Sequence, residues 1–402
     1  MSDRFLSKTA SDLEPSGIRR FFDLAASMEG VISLGVGEPD FTTSWKIREA
    51  SILSLEEGYT SYTANPGIPE LRQEIAYYYA SKYNTAYDPL EEVLVTVGAS
   101  QAIDLAIRAI VNPGDEVIVV RPSFVSYLPV VQLVGGVPVP VDTTDVTHFI
   151  PTVEQIEAAI TERTKAILIC SPNNPTGTVM DKKSLADLAE LCVAHDLVVI
   201  SDEIYSELSY DEPHTSIASL DGMKERTIII NGFSKGFAMT GWRLGFALGP
   251  EAIVQAMLKI HQYTTMCAST TAQYGALEAL RNGWDDVVHM KKSYQRRRNY
   301  IVRSFEEIGL PCHKPGGAFY AFPSIRPTGL SSVEFAEALL NEEKVAVVPG
   351  NVFGPSGEGH IRCSYASSMD HLQEAIRRME RFVSSYLASS QEEASEAVST
   401  KP

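Results

Sequence analysis

The sequence predicts an α/β protein, with a large domain on a mostly parallel seven-stranded sheet and a smaller α+β domain beside it. Three observations carry this expectation. Between about residues 90 and 260, seven short β-branched runs alternate with helical patterns, as successive βα units do. Those runs are continuously apolar rather than alternating, so both faces of the sheet must be covered by helices. A length of 402 residues is also too great for one simple core.

Residues 1–45 are expected to join the small domain. Residues 46–285 form the large one, with strands at 93–97, 116–120, 137–141, 165–170, 197–201, 227–231 and 244–248. Helical periodicity follows at 250–262 and 285–308. The second helix carries Lys291-Lys292 and Arg296-Arg297-Arg298, read as a solvated face rather than a binding patch. Lys314-Pro-Gly-Gly-Ala-Phe-Tyr-Ala-Phe322, residues 345–348 and Gly359-His-Ile-Arg-Cys-Ser-Tyr365 read as strands with helices between them, which gives a small domain over 286–388. Residues 389–402 are polar and acidic and read as a disordered tail.

Composition bounds the function. Hydrophobic residues at 44% and charged residues at 21% are ordinary for a soluble enzyme, and no apolar run approaches a membrane span. The N-terminus lacks a basic segment followed by an apolar one, so a cytoplasmic protein is expected. The five cysteines are scattered and never in a Cys-x-x-Cys pair, which predicts reduced thiols and no metal. A net charge of −17 argues against nucleic acid and anionic membranes as partners. An anionic substrate would therefore need local arginines.

In open α/β sheets functional groups gather at the carboxyl ends of the strands. After the first strand, Gly98-Ala99-Ser100-Gln101 opens a helical pattern whose free N–H groups would receive a phosphate, although an ordinary strand-to-helix turn looks the same. After 165–170 comes Ser171-Pro-Asn-Asn174-Pro-Thr-Gly177, either a plain tight turn or a rigid amide donor suited to a phenolate oxygen. Asp202 stands where the 197–201 strand stops, as a cap or, opposite a pyridine ring, as the group keeping its nitrogen protonated. The strand at 227–231 leads through Gly232-Phe233-Ser234 into Lys235-Gly-Phe-Ala-Met-Thr-Gly-Trp-Arg243. There a lysine able to form an imine precedes an arginine able to hold a phosphate, a pairing that suggests pyridoxal phosphate.

These strings, with Gly37-Glu-Pro-Asp40, Asp202-Glu-Ile-Tyr205, Arg243-Leu-Gly245 and Arg362-Cys-Ser-Tyr365, resemble the class I/II, fold-type I aminotransferases over roughly residues 15–385. Within that family the chain is most similar to bacterial alanine- and aspartate-type members. The resemblance implies pyridoxal 5′-phosphate as cofactor and a homodimer with shared active sites. Lys235 would hold the cofactor aldehyde and shuttle the proton. Asp202 would pair with the ring nitrogen, and Tyr205 and Asn174 would bond the 3′-oxygen. Phe124 would stack on the ring, unless it is a plain core phenylalanine. Arg243, Ser234 and the N–H groups of Ala99 and Ser100 would hold the phosphate. Tyr62 would reach the phosphate of the neighbouring subunit, although aromatic residues in such segments often only pack. Arg362 would grip the substrate carboxylate, with Asn174 and the backbone of Gly37 beside it.

Two departures from the family pattern bear on specificity. Gly232 stands where the family often has a serine, which leaves Ser234 as the substitute hydroxyl. Ser100 stands where aspartate-using members can carry a lysine, which weakens an aspartate reading; Arg19 is a candidate for a distal acid, or a surface residue. The segment Gly35-Val-Gly37-Glu-Pro-Asp40 fails the dinucleotide-binding pattern, with Asp40 where its third glycine belongs. The expected reaction is ping-pong transamination between an L-amino acid, alanine for preference, and 2-oxoglutarate. Aspartate or N-acetyl-diaminopimelate transamination and a carbon–sulfur β-lyase are the alternatives. A non-catalytic cofactor-binding regulator fits poorly with so acidic a chain.

Overall fold

The computed structural model describes residues 5–15, 17 and 28–399. Arg19 lies outside them. The first strand, β1 (Ile32–Ser33), is followed by β2 (Val93–Thr96), β3 (Glu116–Arg121), β4 (Val137–Asp142), β5 (Thr164–Cys170), β6 (Val198–Asp202), β7 (Thr227–Gly232) and β8 (Gly245–Leu248). The last seven form one sheet in the order β2-β8-β7-β6-β5-β3-β4. All pairings among β7, β6, β5, β3 and β4 are parallel, whereas β8 runs antiparallel to both β2 and β7.

The strands are apolar throughout because successive side chains enter different cores. Val117 and Val119 pack with the helices Gly98–Ile110 and Glu251–Thr264, whereas Ile118 between them packs with Lys182–Ala194. In β7, Ile228 and Ile230 join the first group and Ile229 faces Pro69–Tyr83 and Thr270–Asn282. Helices therefore cover the sheet on both faces.

Toward the C-terminus, β9 (Tyr320–Ala321), β10 (Val345–Ala346), β11 (Val348–Pro349) and β12 (Ile361–Ser364) form two small sheets. One is the antiparallel set β11-β12-β9, and the other pairs β1 with β10 in parallel. A separate hydrophobic core gathers β9, β10 and β12 with helices Trp284–Glu307, Ser332–Glu343 and Met369–Ser399. Ser331 starts the middle helix through a capping box with Glu334, which satisfies two otherwise orphan N–H groups.

Two sequence expectations are corrected here. The basic run on Trp284–Glu307 is not a solvated face: Arg297 and Arg298 are buried, while Lys292 and Arg296 remain exposed. Met290, Tyr294, Arg297, Arg298, Ile301 and Phe305 recur at three- and four-residue intervals and share the packed side. Arg298 there bonds both Asp211 oxygens at 2.7 and 3.0 Å, and Arg297 reaches Asp40 at 2.7 Å. The last helix also runs on to Ser399, through the segment read as a disordered tail. Residues 389–399 contain no glycine or proline, and a helix already nucleated upstream adds such residues at little cost. Among the described residues, no helix is long and apolar enough to cross a membrane.

Candidate active site

The carboxyl ends of β2, β5, β6 and β7 open into one cavity of about 890 Å³. It is lined by Gly37, Ala99, Ser100, Phe124, Asn174, Asp202, Tyr205, Ser234, Lys235, Arg243 and Arg362, so the topology brings together eleven of the twelve candidates among the described residues. Tyr62 does not join them. It is 81% exposed on the surface of this chain.

Antiparallel β8 explains how Lys235 and Arg243 come to face one space. The chain leaves β7 at Gly232, passes Lys235, and returns through Arg243 into β8, with Gly232 and Gly245 directly opposite in register. Both positions exclude a side chain: a Cβ on Gly232 would lie 2.9 Å from the Gly245 Cα, and one on Gly245 would lie 2.5 Å from the Ala99 nitrogen. Gly232 therefore has no room for the serine of the family pattern. Gly98 begins the helix Gly98–Ile110 at φ +75°, and a Cβ there would come 2.6 Å from Arg243 Nη2. The arginine thus lies against a helix N-terminus that no side chain caps. N–H groups, a helix dipole and a guanidinium converge there, the donor set a phosphate dianion requires.

The turn after β5 gives its two asparagines different tasks. Asn173 holds the turn, donating to Pro122 and Thr176 at 3.0 Å each. Asn174 lines the cavity, and its Oδ1 accepts from Arg362 Nη1 at 2.9 Å, which leaves its amide hydrogens available. Arg362 also donates from Nη2 to Gly35 O at 2.7 Å, while its buried Nε has no partner among the described residues. A buried guanidinium with only neutral acceptors and a spare donor is suited to a carboxylate.

Asp202 ends β6 at 4% exposure, with its Oδ1 accepting from the Ile204 N–H at 3.2 Å. Its Oδ2 accepts from the buried Tyr127 hydroxyl at 2.6 Å. Burial pushes its pKa up to about 6 against the opposing effect of Tyr127. The Lys235 amine donates to Gly37 O at 2.6 Å. Its pKa is lowered to about 8, chiefly by burial; Glu38 opposes the shift, and Arg362 and Arg243 add to it. Phe124 is half-buried and lines the cavity while packing edge-to-face with Tyr127, ring centroids 5.7 Å apart, so it serves both the cavity wall and the core.

Tyr127 and Tyr320 were not picked out from sequence. Their partners lie 75 and 115 residues away, and no local pattern marks either contact. Pyridoxal phosphate fits this residue set on two grounds: a phosphate cradle of Gly98 and Arg243, and a buried carboxylate deep in the same cavity as an amine. Among the described residues there is no cluster of three or more potential metal ligands.

The description "Aminotransferase class I and II" matches residues 29–379. The Bacillus subtilis (strain 168) protein named "Putative aminotransferase YugH" is 64% identical over 94% of this chain and 98% of its own. An aspartate aminotransferase of Pyrococcus abyssi is 50% identical over 95% of this chain and 97% of its own length. Among solved structures, the aspartate aminotransferase from Thermus thermophilus with maleate superposes with a TM-score of 0.90 at 40% identity, covering 94% of this chain and 99% of that one. This chain belongs to the class I and II aminotransferases, the pyridoxal-phosphate-dependent transaminases of fold type I.

Proposed function

We propose that this aminotransferase moves the amino group of an L-amino acid, alanine for preference, to 2-oxoglutarate. The observation that carries the alanine reading is a count of charges. Among the described residues three cations line the cavity, Lys235, Arg243 and Arg362, and each has a task at the cofactor or the α-carboxylate. None is left for a distal acid on the donor, and Glu38 on the same wall would repel one. Arg19, outside the described residues, is the candidate for the second carboxylate of 2-oxoglutarate, and the same arginine would serve aspartate as donor. Aspartate as donor is the second reading, favoured by the name of the Pyrococcus abyssi relative.

When bound, pyridoxal phosphate supplies an aldehyde carbon that exchanges nitrogen and a protonated ring that takes up the electrons of a breaking Cα–H bond. The protein's share is holding, orientation and proton movement. Arg243, Ser234 and the N–H groups of Ala99 and Ser100 hold the phosphate. Asp202 pairs with the ring nitrogen, Asn174 and Tyr205 donate to the 3′-oxygen, and Phe124 covers the ring face. Arg362 takes the substrate α-carboxylate, with the Gly37 backbone alongside, and so sets the Cα hydrogen toward Lys235. The Lys235 amine would first hold the aldehyde, then take that proton and return it to the former aldehyde carbon, on the far side of the nitrogen. In a homodimer, the exposed Tyr62 reaches the neighbour's phosphate. Trp45, Ile52, Leu53 and Tyr59, exposed on the same stretch of chain, support such an interface.

The half-reaction tests the proposal. Single amino acids added to the purified holoenzyme, without an oxo acid, should convert the cofactor absorbance stoichiometrically to the pyridoxamine form, with alanine fastest. Faster conversion by aspartate selects the second reading. Continuous release of pyruvate and ammonia from cystathionine would refute transamination as the reaction.

Two further results are expected. Only a neutral amine captures an aldehyde, and a pKa lowered to about 8 makes that form dominant from there upward rather than from the ordinary lysine range. Uptake of pyridoxal phosphate by cofactor-free protein, followed by stopped-flow absorbance, should therefore quicken as pH rises and level off above about 8. The second result concerns Tyr127→Phe. Losing its hydrogen bond raises the Asp202 pKa further, and a protonated Asp202 cannot hold a ring N–H⁺. Cofactor affinity near neutral pH should fall roughly tenfold, measured by titration of the cofactor-free protein.

A further inference from the structure

We propose that Tyr320 is a positioning residue that couples the substrate-binding arginine to the tyrosine facing the cofactor. The inference rests on the roles read above for Arg362 and Tyr205. Tyr320 opens β9, which pairs with β12, the strand that carries Arg362. It is 1% exposed overall yet lines the active-site cavity. The Arg362 guanidinium lies 4.5 Å over its ring. Its hydroxyl is 2.9 Å from that of Tyr205. A Cβ on Gly37 would meet the same hydroxyl at 2.6 Å, so that position in the substrate loop must be glycine for Tyr320 to reach Tyr205.

Each contact does separate work. Arg362 hydrogen-bonds only neutral oxygens, Asn174 Oδ1 and Gly35 O, so the aromatic face offsets part of the cost of its buried charge. The face also fixes the guanidinium plane, and with it the direction in which the unpartnered Nε can donate. At the other end, a phenol has one proton to give. Tyr205 can donate into the cavity only if its bond to Tyr320 is supplied by the Tyr320 proton. Tyr320 therefore directs the Tyr205 hydrogen toward the cofactor oxygen. The guanidinium that would receive a carboxylate lies over the same ring that sets this hydrogen bond.

The holoenzyme and four variants test the coupling with two readouts, neither of which is turnover. The first is the pH midpoint of the cofactor absorbance without substrate, and the second is the Kd of propionate, an unreactive carboxylate, from the absorbance change it causes. Tyr320→Phe keeps the ring and loses the hydroxyl, so the midpoint should move by about one pH unit while the propionate Kd stays within about twofold. Tyr320→Leu also loses the face, and its propionate Kd should rise about fivefold. Tyr205→Phe and Arg362→Leu serve as references for the midpoint and for propionate. With both references responding, a Tyr320→Phe midpoint or a Tyr320→Leu affinity equal to the parent's overturns the coupling. Silent references instead overturn the roles of Tyr205 and Arg362, and the inference with them. Circular dichroism of Tyr320→Phe, which preserves the buried ring, shows that the fold persists.

Discussion

Lys235→Ala is expected to abolish transamination, lowering kcat by about four orders of magnitude. The proposed mechanism gives this amine both the hold on the aldehyde and the proton transfer, and no other lysine lines the cavity among the described residues. The phosphate and ring contacts are made by other residues, so the variant should still take up pyridoxal phosphate, with the absorbance of a free aldehyde. Steady-state rates together with that spectrum check both halves. A variant that keeps about a hundredth of the parent rate would remove Lys235 from the chemistry.

The second large effect belongs to Arg362→Leu. Truncating one partner of a buried charged contact costs several kcal/mol, so kcat/KM should fall by roughly two to three orders of magnitude. The loss should be nearly the same for every amino acid and every 2-oxo acid, because the α-carboxylate is what they share. Cofactor affinity should stay close to the parent's. A loss confined to one substrate would show that this arginine reads a side chain instead, and a substrate panel assayed under kcat/KM conditions distinguishes the two.

Much of the fold was legible because a strand buried on both faces leaves a continuous apolar run, and each of the seven expected runs overlaps a strand of the sheet. The reversed direction of β8 was not legible. A run of apolar residues carries no sign of which way it will be laid, and only the hairpin from Gly232 to Gly245 settles it. Arg297 and Arg298 were misread for a related reason: a charged helix residue is solvated or buried according to what packs on its side, here Asp40 and Asp211 from distant segments. In the site, the residues at strand ends were legible from local strings. Tyr127 and Tyr320 were not, since each matters only through a contact made across the fold.

The hairpin between β7 and β8 separates retention from reaction. On the proposed roles, the phosphate is held from the returning limb by Arg243 and from the helix at Gly98, while the amine that must let go in each half-cycle is on the outgoing limb. The two grips are made by different side chains on opposite limbs of the hairpin. With those roles Arg243 and the helix at Gly98 would keep the cofactor in place while Lys235 binds and releases it, so the two substrates would come and go past a fixed insert. What the antiparallel strand contributes to catalysis is memory: nitrogen left by one visitor waits in place for the next.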